Sequence, residues 1–134
     1  MPPRCGGPAA EAYRRVAVDA CIQGSRGHAL TSLCFMEATA ALRRAIYADR
    51  NGHLLLRGRT LVRARSAVQA LRAGVERNHP LGPALLTIYG ACDAVITRCL
   101  TSFDADAVAR TITDLDDILS ALDTAARSDR IDGQ

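Results

Sequence analysis

The residues of this 134-residue chain that could do chemistry are three histidines, five cysteines and a cluster of late aspartates. His28, His53 and His79 stand far apart, at a helix start, after a turn and in a Pro/Gly loop. A histidine at a helix start can accept a phosphoryl group, or it can simply begin the helix. The cysteines Cys5, Cys21, Cys34, Cys92 and Cys99 are odd in number and form no C-x-x-C pair, which argues against a disulfide framework or a zinc site. Cys92 and Cys99 lie two helical turns apart, so their Cα atoms would be roughly 10 Å apart, beyond the ~7 Å reach of a disulfide. They are expected to be small buried thiols. Asp114, Asp116 and Asp117 have no partnering base or acid, and the chain carries no Gly-rich phosphate loop, metal-ligand pair or nucleophile elbow. The expectation is a protein that is not an enzyme, with no catalytic residue, no metal and no cofactor.

The elements that would position these residues are helices. The composition is 49% hydrophobic but only 4% aromatic, with no Trp, and its apolar weight lies in Ala, Leu, Val and Ile, a helix-forming alphabet. A chain of this length without internal repeats reads as one domain, able to bury roughly two-thirds of its unfolded surface without staples. No uninterrupted apolar run approaches a membrane span and no secretory h-region follows Met1, so the expected compartment is cytoplasmic. All 17 basic residues are Arg. Residues 1–80 carry a balance of +8 and residues 81–134 a balance of −5. A basic half can signal nucleic acid, yet Arg57, Arg59, Arg63, Arg65, Arg72 and Arg77 are interleaved with core positions and lack stacking aromatics. A solvated basic face near an acidic helix of the same bundle is the plainer reading.

The spacing predicts four helices between a disordered N-terminus (1–8) and a polar tail (128–134), with a single helical-bundle domain over 9–127. The first helix, His28 to Ala48, places Phe35, Ala38, Leu42 and Ala45 three or four apart and stops at Asn51-Gly52. The second, Leu54 to Arg77, carries Leu54, Leu61, Ala64, Val68, Leu71 and Val75 at heptad spacing. The third, Pro83 to Leu100, has two adjoining stripes: Leu85, Ile88, Cys92, Val95 and Cys99, then Leu86, Tyr89, Ile96 and Leu100. That face is wider than one seam needs. It is either a central helix touching two neighbours or a groove for an apolar partner segment. Asp104 can cap a fourth helix bearing Val108, Ile112, Leu115, Leu119, Leu122 and Ala126. Short connections make the fold class all-α, an antiparallel up-down four-helix bundle with an additional short N-terminal helix or extended arm.

That arm holds Tyr13, Val16, Val18 and Ile22, and a Gly/Ser break separates it from the helical run His28, Leu30, Leu33, Phe35 and Ala38. It is too short and irregular to be a stable helix alone, so it must dock on the bundle, on a partner, or on each in turn.

Ala12-Tyr13, this apolar ladder and the His28-x-Leu30 helix start together resemble the opening of the FliS-type flagellar secretion chaperones. The likeness continues through Arg57-Gly58, Leu61, Arg63-Ala64, Val68, Ile88-Tyr89 and Asp104, over roughly residues 12 to 126. Gly27 stands where the family has Pro, and Tyr89-Gly90-Ala91-Cys92 replaces its Tyr-Asp-Tyr-Met. The resemblance implies a cytosolic chaperone that binds the disordered C-terminal segment of flagellin in apolar grooves. It would prevent premature polymerisation and deliver its client to the cytoplasmic domain of the type III export gate of the bacterial flagellum. Leu86, Tyr89, Ile96 and Leu100 are then the groove candidates. Tyr13, Val16, Val18 and Ile22 are the candidates for gate docking or for a movable N-terminal cap. No nucleic acid, membrane or small-molecule substrate is expected. Two other readings stand beside this one: a histidine phosphotransfer-like signalling bundle using His28, and a generic helical interaction or nucleic-acid-binding module using the Arg-rich second helix.

Overall fold

The computed structural model describes residues 25–132, which form four helices with no strand among them. Helix α1 spans Ser25–Arg50, α2 Leu54–Ala73, α3 Gly82–Thr101 and α4 Ala105–Asp132. Each packs on its neighbour in sequence, and α4 returns to α1, giving an antiparallel up-down four-helix bundle. The seams are unequal: α1 lies closest along α2, whereas α3 and α4 meet only sparsely. The expected N-terminal helix or arm, with Tyr13, Val16, Val18 and Ile22, lies outside the described residues, as do Cys5 and Cys21.

Local chemistry accounts for the helix ends. Gly52 adopts φ +71°, the left-handed conformation only glycine takes without cost. Behind it His53 N–H donates to Ala48 O and Gly52 N–H to Asp49 O, the Schellman pattern that satisfies the last carbonyls. Asp104 caps α4 as expected, its Oδ1 accepting from Ala107 N–H at 3.1 Å, and Asp106 faces the positive end of the helix dipole. Helix α2 stops at Ala73 rather than Arg77, because Gly74 weakens the helix and a turn closed by His79 follows. In that turn His79 O accepts from Gly82 N–H and His79 Nδ1 from Leu81 N–H. Helix α4 runs through Asp132, past Ser128, where the sequence suggests a polar tail.

The core is one cluster built around Phe35, Leu42, Leu61, Ile96, Val108 and Leu115, all fully buried. Each large side chain contributes roughly 1.5–3 kcal/mol by burial. The three buried threonines Thr39, Thr60 and Thr111 each donate a hydroxyl to a carbonyl three or four residues back in their own helix. Cys92 and Cys99 are the buried thiols that their spacing suggests. Two expected core positions are not in the core. Leu33 points away from Phe35 and Ala38 on α1, and Leu54 starts α2 beyond the end of the bundle's interior; both are exposed. One turn of helix is 3.6 residues, so Leu33 falls on the opposite side of α1 from Phe35.

The arginines of α2 reach outward to both flanks. Arg63 pairs with Glu37 and Arg57 with Asp49 on α1, while Arg65 Nε lies 3.1 Å from Asp93 Oδ1 on α3. Among the described arginines, only Arg43 of α1 pairs with the acidic helix, meeting Asp116 at 3.0 Å. The basic half is thus threaded through ion pairs of α1 and α3 more than set against α4. One aromatic does accompany it, since the Arg57 guanidinium lies 5.1 Å from the Phe103 ring centroid.

Candidate functional site

Helix α3 is the most apolar helix described. By length and composition alone it could cross a membrane, yet only 22% of its most apolar 18-residue window is buried. A helix this apolar that keeps Leu86, Ile88 and Leu100 at the surface is the place to look for a partner.

Its phase is fixed by two contacts. Asp93 turns toward α2 to meet Arg65, and Tyr89 turns inward, its ring 5.9 Å from that of Phe35 at an interplanar angle of 59°. The four expected groove residues therefore separate. Tyr89 is 2% exposed and Ile96 0%, so both are core and neither offers surface to a partner in this conformation. Leu86 and Leu100, 38% and 37% exposed, share the Asp93 side of the helix and lie over the α2 seam. Leu86 forms one wall of a hollow of about 380 Å³ with Ala73, Val75 and the stems of Arg72 and Arg77. The split has a simple cause: the stripe is wide and α3 has neighbours on two sides, so Tyr89 and Ile96 fall inward while Leu86 and Leu100 fall on the α2 flank.

The opposite flank of α3 faces α4. Ile88 and Ala91 are exposed and Val95 is half-buried there. Because α3 and α4 splay apart, a cleft of about 410 Å³ opens between Val95 and Arg98 on one side and Ala107, Arg110, Thr111 and Asp114 on the other. A smaller pocket of about 160 Å³ opens at the far end of the bundle, lined by Thr31, Leu71, Val75, Leu85, Tyr89 and Leu122. Thr31, in the early part of α1, borders this end. Ile88, Ala91 and Val95 were not among the expected groove residues, although Ile88 and Val95 belong to the neighbouring stripe of the same helix.

Comparison with protein-family models, curated proteins and solved structures finds no match. What the site can do must therefore be read from its own chemistry.

That chemistry is mixed: Leu86, Ile88 and Val95 are apolar, whereas Arg98, Arg110, Thr111 and Asp114 line the cleft toward α4. Burial, followed by the charge of Asp114, pushes the Cys92 thiol up to about 11, so it stays protonated at neutral pH and is no nucleophile. Burial first, and then the Cys92 and Cys34 thiols, holds the Tyr89 phenol above its usual range. No group of three or more potential metal ligands occurs among the described residues. His28 does not stand free at the helix start. Its Nε2–H donates to Asp123 Oδ1 at 2.6 Å, joining α1 to α4. His53 occupies the N-cap of α2 without a side-chain bond to the helix.

Proposed function

We propose that this chain is a flagellin export chaperone of the FliS type, and that the flanks of α3 receive its client. The observation that carries the reading is on α3: the most apolar helix of the bundle keeps Leu86, Ile88 and Leu100 exposed on its two flanks, one of them along a seam that α4 does not close. A disordered client segment that folds on binding could lay short amphipathic helices there. Its affinity would come from apolar burial, offset by the entropy of ordering the segment. No nucleotide is needed for such a step. The order and spacing of Ala12-Tyr13, His28-x-Leu30, Arg57-Gly58, Ile88-Tyr89 and Asp104 support the same reading by resemblance.

In this proposal Leu86, Leu100, Ile88 and Val95 contact the client, while Tyr89 and Ile96 hold α3 in register from beneath. Tyr13, Val16, Val18 and Ile22 remain the residues proposed for gate docking or for covering the groove before the client arrives. Delivery to the export gate follows client capture in the cytoplasm.

The test is calorimetric titration of the full chain with a peptide from the C-terminal end of flagellin from the same organism. Binding with a negative heat-capacity change, weakened by Ile88→Asp or Leu86→Asp and little altered by salt, is expected. An absence of both heat and a melting shift would exclude the client. Binding that falls steeply with salt would point instead to an anionic partner on the arginines.

A further inference from the structure

The outer face of α1 carries a set of exposed apolar side chains, and they are not scattered. Leu33, Met36 and Tyr47 are 59%, 58% and 63% exposed. Leu33, Ala40 and Tyr47 recur at intervals of seven, and Met36 follows Leu33 by three, so together they form the a and d seam of a coiled coil. The seam lies directly opposite Ala38, Leu42 and Ala45, which are buried in the core.

We propose that a second copy of this chain docks on this face, its α1 antiparallel to the first about a two-fold axis at Ala40. The proposal is independent of the flagellin reading, since it uses neither α3 nor the α3–α4 cleft.

The pattern is complementary to itself. Leu33 and Tyr47 lie equally far from Ala40 on either side, about 10 Å along the axis. Turning the helix about Ala40 therefore sets Leu33 of each copy against Tyr47 of the other. The small side chain at the centre allows the axes to approach to roughly 8 Å. The flanking charges obey the same operation. Glu37 lies three residues before Ala40, and Arg43 and Arg44 three and four after it. Glu37 and Arg44 are seven residues apart on one flank of the seam, so each copy's Glu37 meets the other's Arg44, while Met36 lies against the aliphatic stem of the other's Arg43, which stands at the seam's next d position. Glu37 and Arg43 are both solvent-exposed despite their pairs with Arg63 and Asp116, so they can share these new partners. A parallel arrangement would instead stack like charges at every level. Isologous contacts of this kind close on themselves as a dimer.

A single helix seam falls short of the roughly 800 Å² per partner of a standard interface. The surface continues, however. Beyond Tyr47 an open hollow of about 440 Å³ is walled by Tyr47, Leu54, Leu55 and Leu56, with Arg59 at its rim. These leucines are exposed. In the antiparallel arrangement the partner's first two turns of α1, ending at its Leu33, extend across that hollow at both ends of the dimer.

The experiment is sedimentation velocity of the full chain across a concentration series, with two charge variants, and oxidative cross-linking of three cysteine variants. The unaltered protein is expected to dimerise reversibly. Tyr47→Glu should weaken association at least tenfold, and so should Arg44→Glu, which places a second carboxylate beside each Glu37. Ala40→Cys should form a disulfide-linked dimer under mild oxidation at a yield that the unaltered chain, with its own five cysteines, does not reach. Leu33→Cys alone should not, but Leu33→Cys mixed with Tyr47→Cys should. Thermal melts establish that each variant is folded; if Tyr47→Glu is not, Arg44→Glu and the cysteine pairs decide. A protein that stays monomeric up to its solubility limit overturns the proposal. So does a dimer indifferent to both charge variants, or one that cross-links through Leu33→Cys alone. A monomer that loses flagellin-peptide binding in Tyr47→Glu also overturns it and assigns the face to the client.

Discussion

His28 Nε2 lies 2.6 Å from Asp123 Oδ1 across 95 residues of sequence, pinning the first turns of α1 to the later turns of α4. The two side chains are 27% and 35% exposed, so the contact is partly screened. It ties α1 to α4 at one end of the bundle, and it gives the isolated histidine a structural task. His28→Ala and Asp123→Ala are each expected to destabilise by about 0.5–1.5 kcal/mol. The double variant should cost less than the two together, because the shared bond is lost only once. Denaturant unfolding of the four proteins measures this, and strict additivity would show that the bond contributes nothing.

Fold and site can be separated on a single helix. Tyr89→Ala removes a buried ring packed on Phe35 and should destabilise by about 3–5 kcal/mol. Leu86→Asp and Ile88→Asp replace surface residues and should stay within roughly 0.5 kcal/mol of the unaltered stability. Only the last two should impair client binding while the protein remains folded. Circular dichroism melts alongside peptide titration distinguish the outcomes.

Alkaline pH should loosen the bundle before neutral or mildly acidic pH does. Cys92 is held neutral in the fold to about 11, against an ordinary value of 9.0. Above pH 9 the unfolded chain therefore releases a proton that the folded chain retains. The stabilisation is complete below about pH 9 and is lost as pH rises toward 11. Tyr89, raised from 10.0, steepens the same fall from pH 10 upward. Melting temperature measured from pH 8 to 11 should decline accordingly, and Cys92→Ala should flatten the first part of the decline.

The glycines should respond in opposite directions. A methyl group at Gly58 or Gly90 would meet nothing within 4 Å, and both lie inside helices. Gly58→Ala and Gly90→Ala should each stabilise by about 0.5–1 kcal/mol. At Gly82 a Cβ would sit 2.9 Å from Glu76 O. Gly82→Ala must therefore shift the loop between α2 and α3, at a cost of roughly 1–3 kcal/mol. Thermal unfolding of the three variants checks the signs; a stabilising Gly82→Ala would show that the loop gives way freely.

Much of the bundle was legible in the order of residues. The three-four spacing of Phe35, Ala38, Leu42 and Ala45, the Asn51-Gly52 stop and the Asp104 cap are local features, set by helix geometry and by backbone groups a few residues away. The candidate site was legible only in part. The width of the α3 face could be counted, but its four named residues proved to be two core and two surface residues. Which stripe falls inward depends on where α2 and α4 stand, and no periodicity on α3 records that. Leu33 and Tyr47 show the same gap: their heptad relation to Ala40 is present in the sequence, yet its meaning depends on knowing that Phe35 and Ala38 face the other way.

By itself, then, the sequence determined four amphipathic helices and their caps, because each of these is fixed within a turn or two of chain. Only the tertiary structure decided that α3 and α4 splay, that His28 is tied to Asp123, and that the outer face of α1 is left uncovered. Those outcomes depend on the relative placement of segments dozens of residues apart. There the balance among burying Tyr89, satisfying Asp93 and closing the bundle end selects which apolar surface stays exposed.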